Sequence, residues 1–93
     1  MTMITAHTRI SRGPDILPAE IDGELLLMDI DGGDYIGLKG TARQIWDLVE
    51  VPREFAQLCA LLQDRYRAPP GRIDADVKAF VGRLAARNLV VLT

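Results

Sequence analysis

A glycine turn that leads into the start of a helix is the feature that most constrains this chain. Between Asp29 and Glu50 the sequence reads DIDGGDYIGLKGTARQIWDLVE, with the turn signal Asp-Gly-Gly at 31–33. An apolar run precedes the turn, a shorter run at 34–38 follows it, and helical periodicity begins at Thr41. Because a tight glycine turn joins antiparallel strands, these residues predict a strand pair directly followed by a helix.

Three strand-like runs precede the first helix, and we place them at 15–21, 24–30 and 34–38. Asp22-Gly23 is a strong hairpin signal between the first two runs. The middle run, ELLLMDI, is nearly continuously apolar, which is consistent with a strand between two neighbours. Pro18 lacks an N–H and therefore favours a sheet edge for the first run. In such a three-stranded antiparallel meander, the third strand has one partner and one unpaired edge.

Three helices are predicted after the meander, which makes the chain an α+β protein. Thr41, with Gln44 three residues later, predicts a capping box at the start of the first helix. Pro52 suits the first turn of the second helix, which ends near Arg67, and Asp74 predicts the N-cap of the third. Each helix has an apolar stripe: Ala42, Ile45, Trp46 and Val49 in the first, Phe55, Leu58, Cys59, Leu62 and Tyr66 in the second, and Val77, Phe80, Val81 and Leu84 in the third.

The two ends of the chain carry weaker signals. Residues 1–13 show little periodicity, so we predict a flexible N-terminal arm over 1–13 and a single domain over 14–93. Asn88 suits the position just after the last helix. The apolar tail from Leu89 to Leu92 is expected to pack back on the domain or to add a short strand.

Composition limits the function classes that suit this chain. With 93 residues, 48% of them hydrophobic, it fits one small globular domain, and a net charge of −2 argues weakly against nucleic acid or anionic membrane as a partner. Cys59 is the only cysteine, which fits a reducing cytoplasm. His7 stands alone, and we find no catalytic triad, metal-ligand spacing or phosphate loop. We therefore predict no enzyme activity, catalytic residue, metal or cofactor.

Several of these signals occur together in an order that resembles a known family. Its carriers are the turn 22–24, the strand pair 27–38, Ile45-Trp46 after the cap, and the third helix followed by Asn88-Leu89-Val90. Over residues 12–92 the chain resembles the PqqD-like peptide-recognition domains, also called RiPP recognition elements. It looks most similar to the standalone leader-binding proteins of lasso-peptide biosynthesis. Lys39 departs from the asparagine that the family usually carries after the leucine.

The resemblance implies both a fold and a function. Members of this family are winged-helix-like and non-catalytic. They bind the leader segment of a ribosomally made precursor peptide as an antiparallel strand beside the third strand and the third helix. For this chain the implied partners are a precursor leader peptide and a transglutaminase-like leader peptidase, with the cyclase as a further partner, in the cytoplasm.

Physical chemistry points to the same surface, because an unpaired strand edge satisfies its backbone groups by adding a guest strand. The predicted peptide-binding residues are Asp34, Tyr35, Ile36, Gly37 and Leu38 on the strand, and Asp76, Ala79, Phe80, Arg83 and Arg87 on the helix. Several alternatives stay open. Gly37 either admits a guest backbone or forms a bulge, and Tyr35 covers a guest residue or caps the sheet. Arg83 and Arg87 either clamp acidic leader residues or pair internally, and the helix surface that carries Ala79 is either a peptide groove or a solvated face.

Two other functions compete with this prediction. A winged-helix DNA-binding regulator is favoured by Lys78, Arg83 and Arg87 on the third helix but opposed by Asp74 and Asp76 in its first turn. The other alternative is a PqqD-type chaperone that serves a radical SAM enzyme.

Overall fold

Two three-stranded antiparallel sheets and three helices make up the part of the chain that the computed structural model describes, residues 3–69 and 71–93. The strands are β1 (Arg9–Arg12), β2 (Ile16–Ile21), β3 (Glu24–Asp29), β4 (Tyr35–Leu38), β5 (Arg53–Glu54) and β6 (Val90–Leu92). The helices are α1 (Thr41–Leu48), α2 (Phe55–Arg65) and α3 (Arg72–Ala86). Met1 and Thr2 of the predicted arm, and Pro70 of the loop before α3, lie outside the described residues.

The predicted α+β fold and its meander are confirmed, since β2, β3 and β4 pair in that order. Asp22 and Gly23 form the first turn with φ angles of 51° and 80°, the pair of positive values that a tight hairpin turn requires. Along β3, Leu25 and Leu27 are buried on the inner face, and Met28 is exposed on the outer face. The middle strand is thus fixed by its neighbours on both sides.

A second sheet, in the order β5-β1-β6, was not predicted, and it corrects the flexible arm over residues 1–13. Within the arm, Ile10 is fully buried and pairs with Arg53 and with Leu92. Ile4 is also buried in the core. The arm shows no sequence signal because its partners lie more than forty residues away in the chain, and a four-residue strand has almost no periodicity to display.

Glycines, not the predicted polar residues, mark the start of two helices. Gly40, with φ 60°, is the N-cap of α1, so the predicted capping box between Thr41 and Gln44 does not form. Gly71, with φ 82°, is the N-cap of α3, and Asp74 lies inside its first turn. A positive φ at each position turns the incoming chain into the helix, and glycine adopts it at low cost.

Of the other predicted boundaries, the start of the second helix is wrong and the end of the third helix is correct. The second helix begins at Phe55, after the short strand β5, and not at Pro52; Glu54 N–H donates to Gln57 Oε1 at 3.2 Å. The predicted end of α3 is correct: Asn88 has φ 60° and follows the helix, and Leu89 N–H donates to the Leu84 carbonyl at 2.9 Å. The tail then forms β6, as one of the two alternatives proposed.

One hydrophobic core joins both sheets to the three helices. Its fully buried side chains are Ile10, Leu27, Leu38, Val49, Leu58, Leu62, Val77, Val81, Leu84 and Leu89. Trp46 is 4% exposed and belongs to this core, as predicted. The Arg12 guanidinium lies 4.5 Å from its ring centroid and donates to its carbonyl at 2.8 Å, which ties β1 to α1. No helix in the described part of the chain is long and apolar enough to cross a membrane.

Candidate functional site

The free edge of β4 presents the backbone groups of two residues. In an antiparallel pair, alternate residues direct both N–H and C=O toward the partner strand. Asp29 N–H donates to the Asp34 carbonyl at 2.9 Å, and the register pairs Leu27 with Ile36. Residues 34, 36 and 38 therefore bond to β3, while the N–H and C=O groups of Tyr35 and Gly37 point away from the sheet. No other strand of the described chain pairs with this edge.

Helix α3 lies beside this edge. The Arg87 guanidinium, just past the end of α3, donates from Nη1 to the Tyr35 carbonyl at 3.3 Å. This contact shows directly that the Tyr35 carbonyl points outward, and it partly answers the open question about Arg87, which pairs internally in this structure. The chain leaves β4 at Leu38 and reaches α1 at Thr41, which lines a groove whose other side is α3. The start of β4 therefore lies near the end of α3, and the groove opens just after β4 ends.

The groove has a volume of about 410 Å³ and separates the start of α1 from the end of α2 and from α3. Its floor is apolar, and its charged groups lie at the margin, where Arg72 Nε is 3.8 Å from Asp76 Oδ2. The apolar lining consists of Ala42, Ile45, Leu62, Tyr66, Ala68, Ile73, Val77 and Phe80. Concave apolar surfaces with a few charges at the rim suit apolar side chains of a ligand.

The predicted site residues on β4 divide between the two faces of the sheet. Ile36 and Leu38 face the core, and Leu38 is only 1% exposed, so these two side chains pack the inner face of β4 against the core. Tyr35 is 67% exposed on the outer face, opposite Met28, so its ring does not cap the core. Asp34 is exposed at the end of the turn before the strand.

The predicted site residues on α3 also lie at different places. Asp76, Phe80 and Arg83 line the groove, and Phe80 is mostly buried while the Arg83 guanidinium lies 5.7 Å from its ring centroid. Arg87 lies at the edge of β4, as described above. Ala79 is exposed but does not line the groove. One hydrogen bond, from Arg87 to Tyr35, thus joins the predicted strand residues to the helix residues, while the groove contains no β4 residue and Ala79 lies outside it.

The absence of a side chain at Gly37 suggested open space at this position. On the outer face of the sheet, however, that space is occupied. A Cβ on Gly37 would overlap Oε1 of Glu24 and lie 3.4 Å from Cδ2 of Leu26. The Glu24 side chain therefore extends from β3 toward β4 and lies over Gly37 on the outer face. Sequence analysis missed this carboxylate, although Glu24 alternates with Leu26 and Met28 along one face of β3.

An apolar patch on the outer face of the meander was also missed. Its members are Leu17, Ala19, Leu26, Met28 and Tyr35, which surround a shallow depression of about 240 Å³. The patch joins the β4 edge through Tyr35. The available signal was the pairs of apolar residues two positions apart, Leu17 and Ala19 on β2 and Leu26 and Met28 on β3. The period-2 alternation of a strand places each pair on one face of the sheet.

The remaining ionisable groups do not form a chemical centre. In residues 3–69 and 71–93, no three His, Cys, Asp or Glu side chains are placed to share a metal ion. His7 Nδ1 lies 3.5 Å from Glu54 Oε1 at the surface. Burial, with a smaller contribution from Asp74, raises the pKa of the Cys59 thiol to about 12. What the site offers is hydrogen-bonding groups and apolar surface.

The fold and site define a small α+β domain with an open strand edge and an apolar groove on its last helix. This chain belongs to the PqqD family, since the model described as coenzyme PQQ synthesis protein D matches residues 24–90. A comparison with curated proteins gave no match.

Two solved structures share the fold. One is TbiB1 in complex with the TbiA(beta) leader peptide, with a TM-score of 0.77 and 24% identity over 86% of this chain and 93% of that one. The other is a lasso peptide synthetase B1 complexed with the leader peptide, with a TM-score of 0.76 and 23% identity over 88% of this chain and 96% of that one. Both match nearly their whole length, so the RiPP recognition element fold is shared throughout.

Proposed function

We propose that this domain binds the leader segment of a ribosomally made precursor peptide as an antiparallel strand on the free edge of β4. The observation that carries the proposal is the pair of outward-facing residues on that edge, Tyr35 and Gly37, beside the groove of α3. Strand addition is a common way for a domain to recognise an extended peptide. The similar structures of TbiB1 and of lasso peptide synthetase B1 were solved with leader peptides, which supports this role.

Binding would combine the backbone edge with the groove. The two outward residues carry four hydrogen-bonding groups, of which the Tyr35 carbonyl already accepts from Arg87. The three free groups, at about 1 kcal/mol each, correspond to a dissociation constant of roughly 6 mM. Burial of one or two large apolar side chains adds roughly 1.5–3 kcal/mol apiece. Guest side chains that alternate toward α3 reach the floor of the groove and bring the affinity to the micromolar range.

The proposed role is non-catalytic delivery. By holding the leader, the domain raises the effective concentration of the precursor near its processing enzyme. We propose a transglutaminase-like leader peptidase as that enzyme and the cytoplasm, where the precursor is synthesised, as the location. The family description favours a second recipient, an enzyme of coenzyme PQQ synthesis, with the same edge holding the peptide.

Hydrogen exchange tests the edge directly. In the free domain the amides of Ile36 and Leu38 bond to β3 and exchange slowly, whereas those of Tyr35 and Gly37 exchange fast. A synthetic leader from the precursor gene nearest to this chain's own gene should slow exchange at Tyr35 and Gly37. The outward amide of Glu20 on β2 serves as the control and should not change. Fast exchange at Tyr35 and Gly37 under saturating leader would contradict the proposal.

A salt titration separates this role from DNA binding. Strand addition depends on backbone hydrogen bonds and apolar contacts, so the leader affinity should change little between low and high salt. Affinity for duplex DNA falls steeply with salt because bound cations are released from the phosphates. The DNA-binding alternative would be supported if a random duplex bound more tightly than the leader at low salt and lost its affinity at high salt.

A further inference from the structure

We propose that Glu24 selects a lysine or arginine in the guest strand, at the residue that pairs with Gly37. The inference rests on the proposed strand addition and concerns its specificity. It starts from the unusual position of this carboxylate, which lies over the backbone of a neighbouring strand. The absence of a side chain at Gly37 makes room for it.

The pairing pattern identifies one guest residue. Both the N–H and the C=O of Gly37 point outward, so the guest residue opposite exchanges two hydrogen bonds with it. In such a pair the α-carbons lie about 5.5 Å apart, and the two side chains project from the same face. The guest side chain therefore leaves the sheet on the outer face, next to the carboxylate of Glu24. Lysine and arginine side chains are long enough to reach it, and an acidic side chain would be repelled.

The surroundings leave this carboxylate available. In the described part of the chain Glu24 makes no hydrogen bond and no ion pair through its side chain. Arg43 is engaged on the opposite face of the meander, where it contacts Glu20 and the Gly23 carbonyl. Lys39 follows on the outer face at the end of β4 and makes no ion pair with Glu24. Leu26, at the same place, supplies apolar surface that reduces solvent screening of a guest cation.

A displayed library of random peptides tests the proposal without knowledge of the natural leader. The library is selected at low salt against the wild-type domain, and the ratio of basic to acidic residues is read at each aligned position. One position should show about a two- to fivefold excess of Lys and Arg, the range expected for a partly exposed ion pair. In Glu24→Lys the same position should favour Asp and Glu.

Two further variants separate charge from position. Gly37→Ala keeps the carboxylate of Glu24 but displaces it, because the new Cβ occupies the position of the carboxylate oxygen. The flexible Glu24 side chain can move, so the fold is retained. The preference for basic guest residues should be lost. Glu50→Lys makes the same charge change as Glu24→Lys beyond the far end of α1, and it should leave the preference unaltered.

The outcomes distinguish this proposal from the proposed function. If selected peptides bind through the β4 edge, as judged by slowed exchange at Tyr35 and Gly37, but show the same charge ratio with wild type and Glu24→Lys, the preference is refuted and the function stands. If no peptide engages that edge, both are refuted. A reversed ratio in Glu24→Lys but not in Glu50→Lys supports the preference.

Discussion

The two edges of the meander differ because one outward residue of β2 lacks a backbone N–H, whereas every outward residue of β4 has one. On β2, Ile30 N–H donates to the Asp15 carbonyl at 3.1 Å, so residues 16, 18 and 20 point outward. The middle one is Pro18, which has no N–H to offer. On β4 both outward residues, Tyr35 and Gly37, keep their donors. The same sheet therefore has one edge that resists strand addition and one that permits it.

The neighbours of the two edges differ as well. Beside β4 lies the apolar groove of α3, whereas beside β2 the cleft toward α1 contains Arg12, Arg43, Asp47 and Glu50. The edge strands of the second sheet are shorter still, since β5 has two residues and β6 three. Free donors on every outward residue and an apolar groove occur together only at the β4 end of the meander, which is why we propose that edge, and not β2, as the binding site.

The largest expected effect comes from making β4 resemble β2. Gly37→Pro removes an outward donor without breaking a bond to β3, and its ring obstructs the approaching strand. We expect affinity for a library-selected peptide with an uncharged residue opposite position 37 to fall tenfold or more, since one lost bond of about 1 kcal/mol is joined by a steric clash. Calorimetry measures the change, and Gly37→Ala, which keeps the donor, is the matched control. Equal affinity for the two variants would contradict the open-edge assignment.

The reciprocal change makes β2 resemble β4. Pro18→Val restores the missing donor, so the β2 edges of two molecules can pair and the domain should self-associate with a dissociation constant on the order of 1 mM. Sedimentation across a range of protein concentrations detects this. Leu17→Val, which leaves the proline in place, should remain monomeric. A strictly monomeric Pro18→Val would show that something other than the proline protects β2.

Much of this contrast was predictable from sequence because it depends on local signals. The turns at 22–23 and 31–33 fix the order of the meander, and Pro18 identifies an edge. The sheet that contains β1 was not predictable, since Ile10 owes its burial to pairing with residues far along the chain. The start of α1 at Thr41 was predicted, but its cap and the start of α3 were misassigned, because the N-cap positions belong to Gly40 and Gly71 and not to the nearby polar residues Thr41 and Asp74.

The peptide-binding role of the candidate site stays a prediction. The sequence indicated an unpaired edge on the strand with Tyr35 and Gly37 and a helix flank with Asp76 and Arg83, but it could not show which strand residues point outward. It also could not show that Arg87 contacts the Tyr35 carbonyl, since the torsions of a long flexible side chain decide that contact. Nor could it show that the Glu24 side chain lies over Gly37, because the torsions of one flexible side chain decide where its carboxylate lies.

A smaller effect is expected from Arg87, which occupies an acceptor that the guest strand needs. Arg87→Met frees the Tyr35 carbonyl, so an uncharged library-selected peptide should bind about two- to fivefold more tightly, the value of one exposed hydrogen bond. Arg65→Met makes the same charge change on α2 and should have no effect. Weaker binding in Arg87→Met would instead support the alternative in which Arg87 clamps an acidic residue of the guest.

The smallest effect concerns Cys59, which reports whether the edge variants disturb the wall behind the groove. Burial, together with Asp74 of α3, raises the pKa of the thiol from 9.0 to about 12 in the folded protein. At pH 9 iodoacetamide should therefore alkylate the unfolded chain rapidly and the native domain slowly. Gly37→Pro and Pro18→Val should show the same slow rate as wild type, because both changes lie at sheet edges and not in the core.

The same pKa shift predicts how stability depends on pH. A thiol whose pKa is raised by folding stays protonated in the native state, so its contribution is complete below pH 9 and is lost as the pH rises from 9 toward 12. Urea unfolding across that interval should show the free energy of unfolding decreasing more steeply for wild type than for Cys59→Ala, which removes the titrating group. Parallel curves would mean that Cys59 ionises as readily in the folded domain as in the unfolded chain. That result would mean that solvent reaches the contact between Cys59 of α2 and Asp74 of α3.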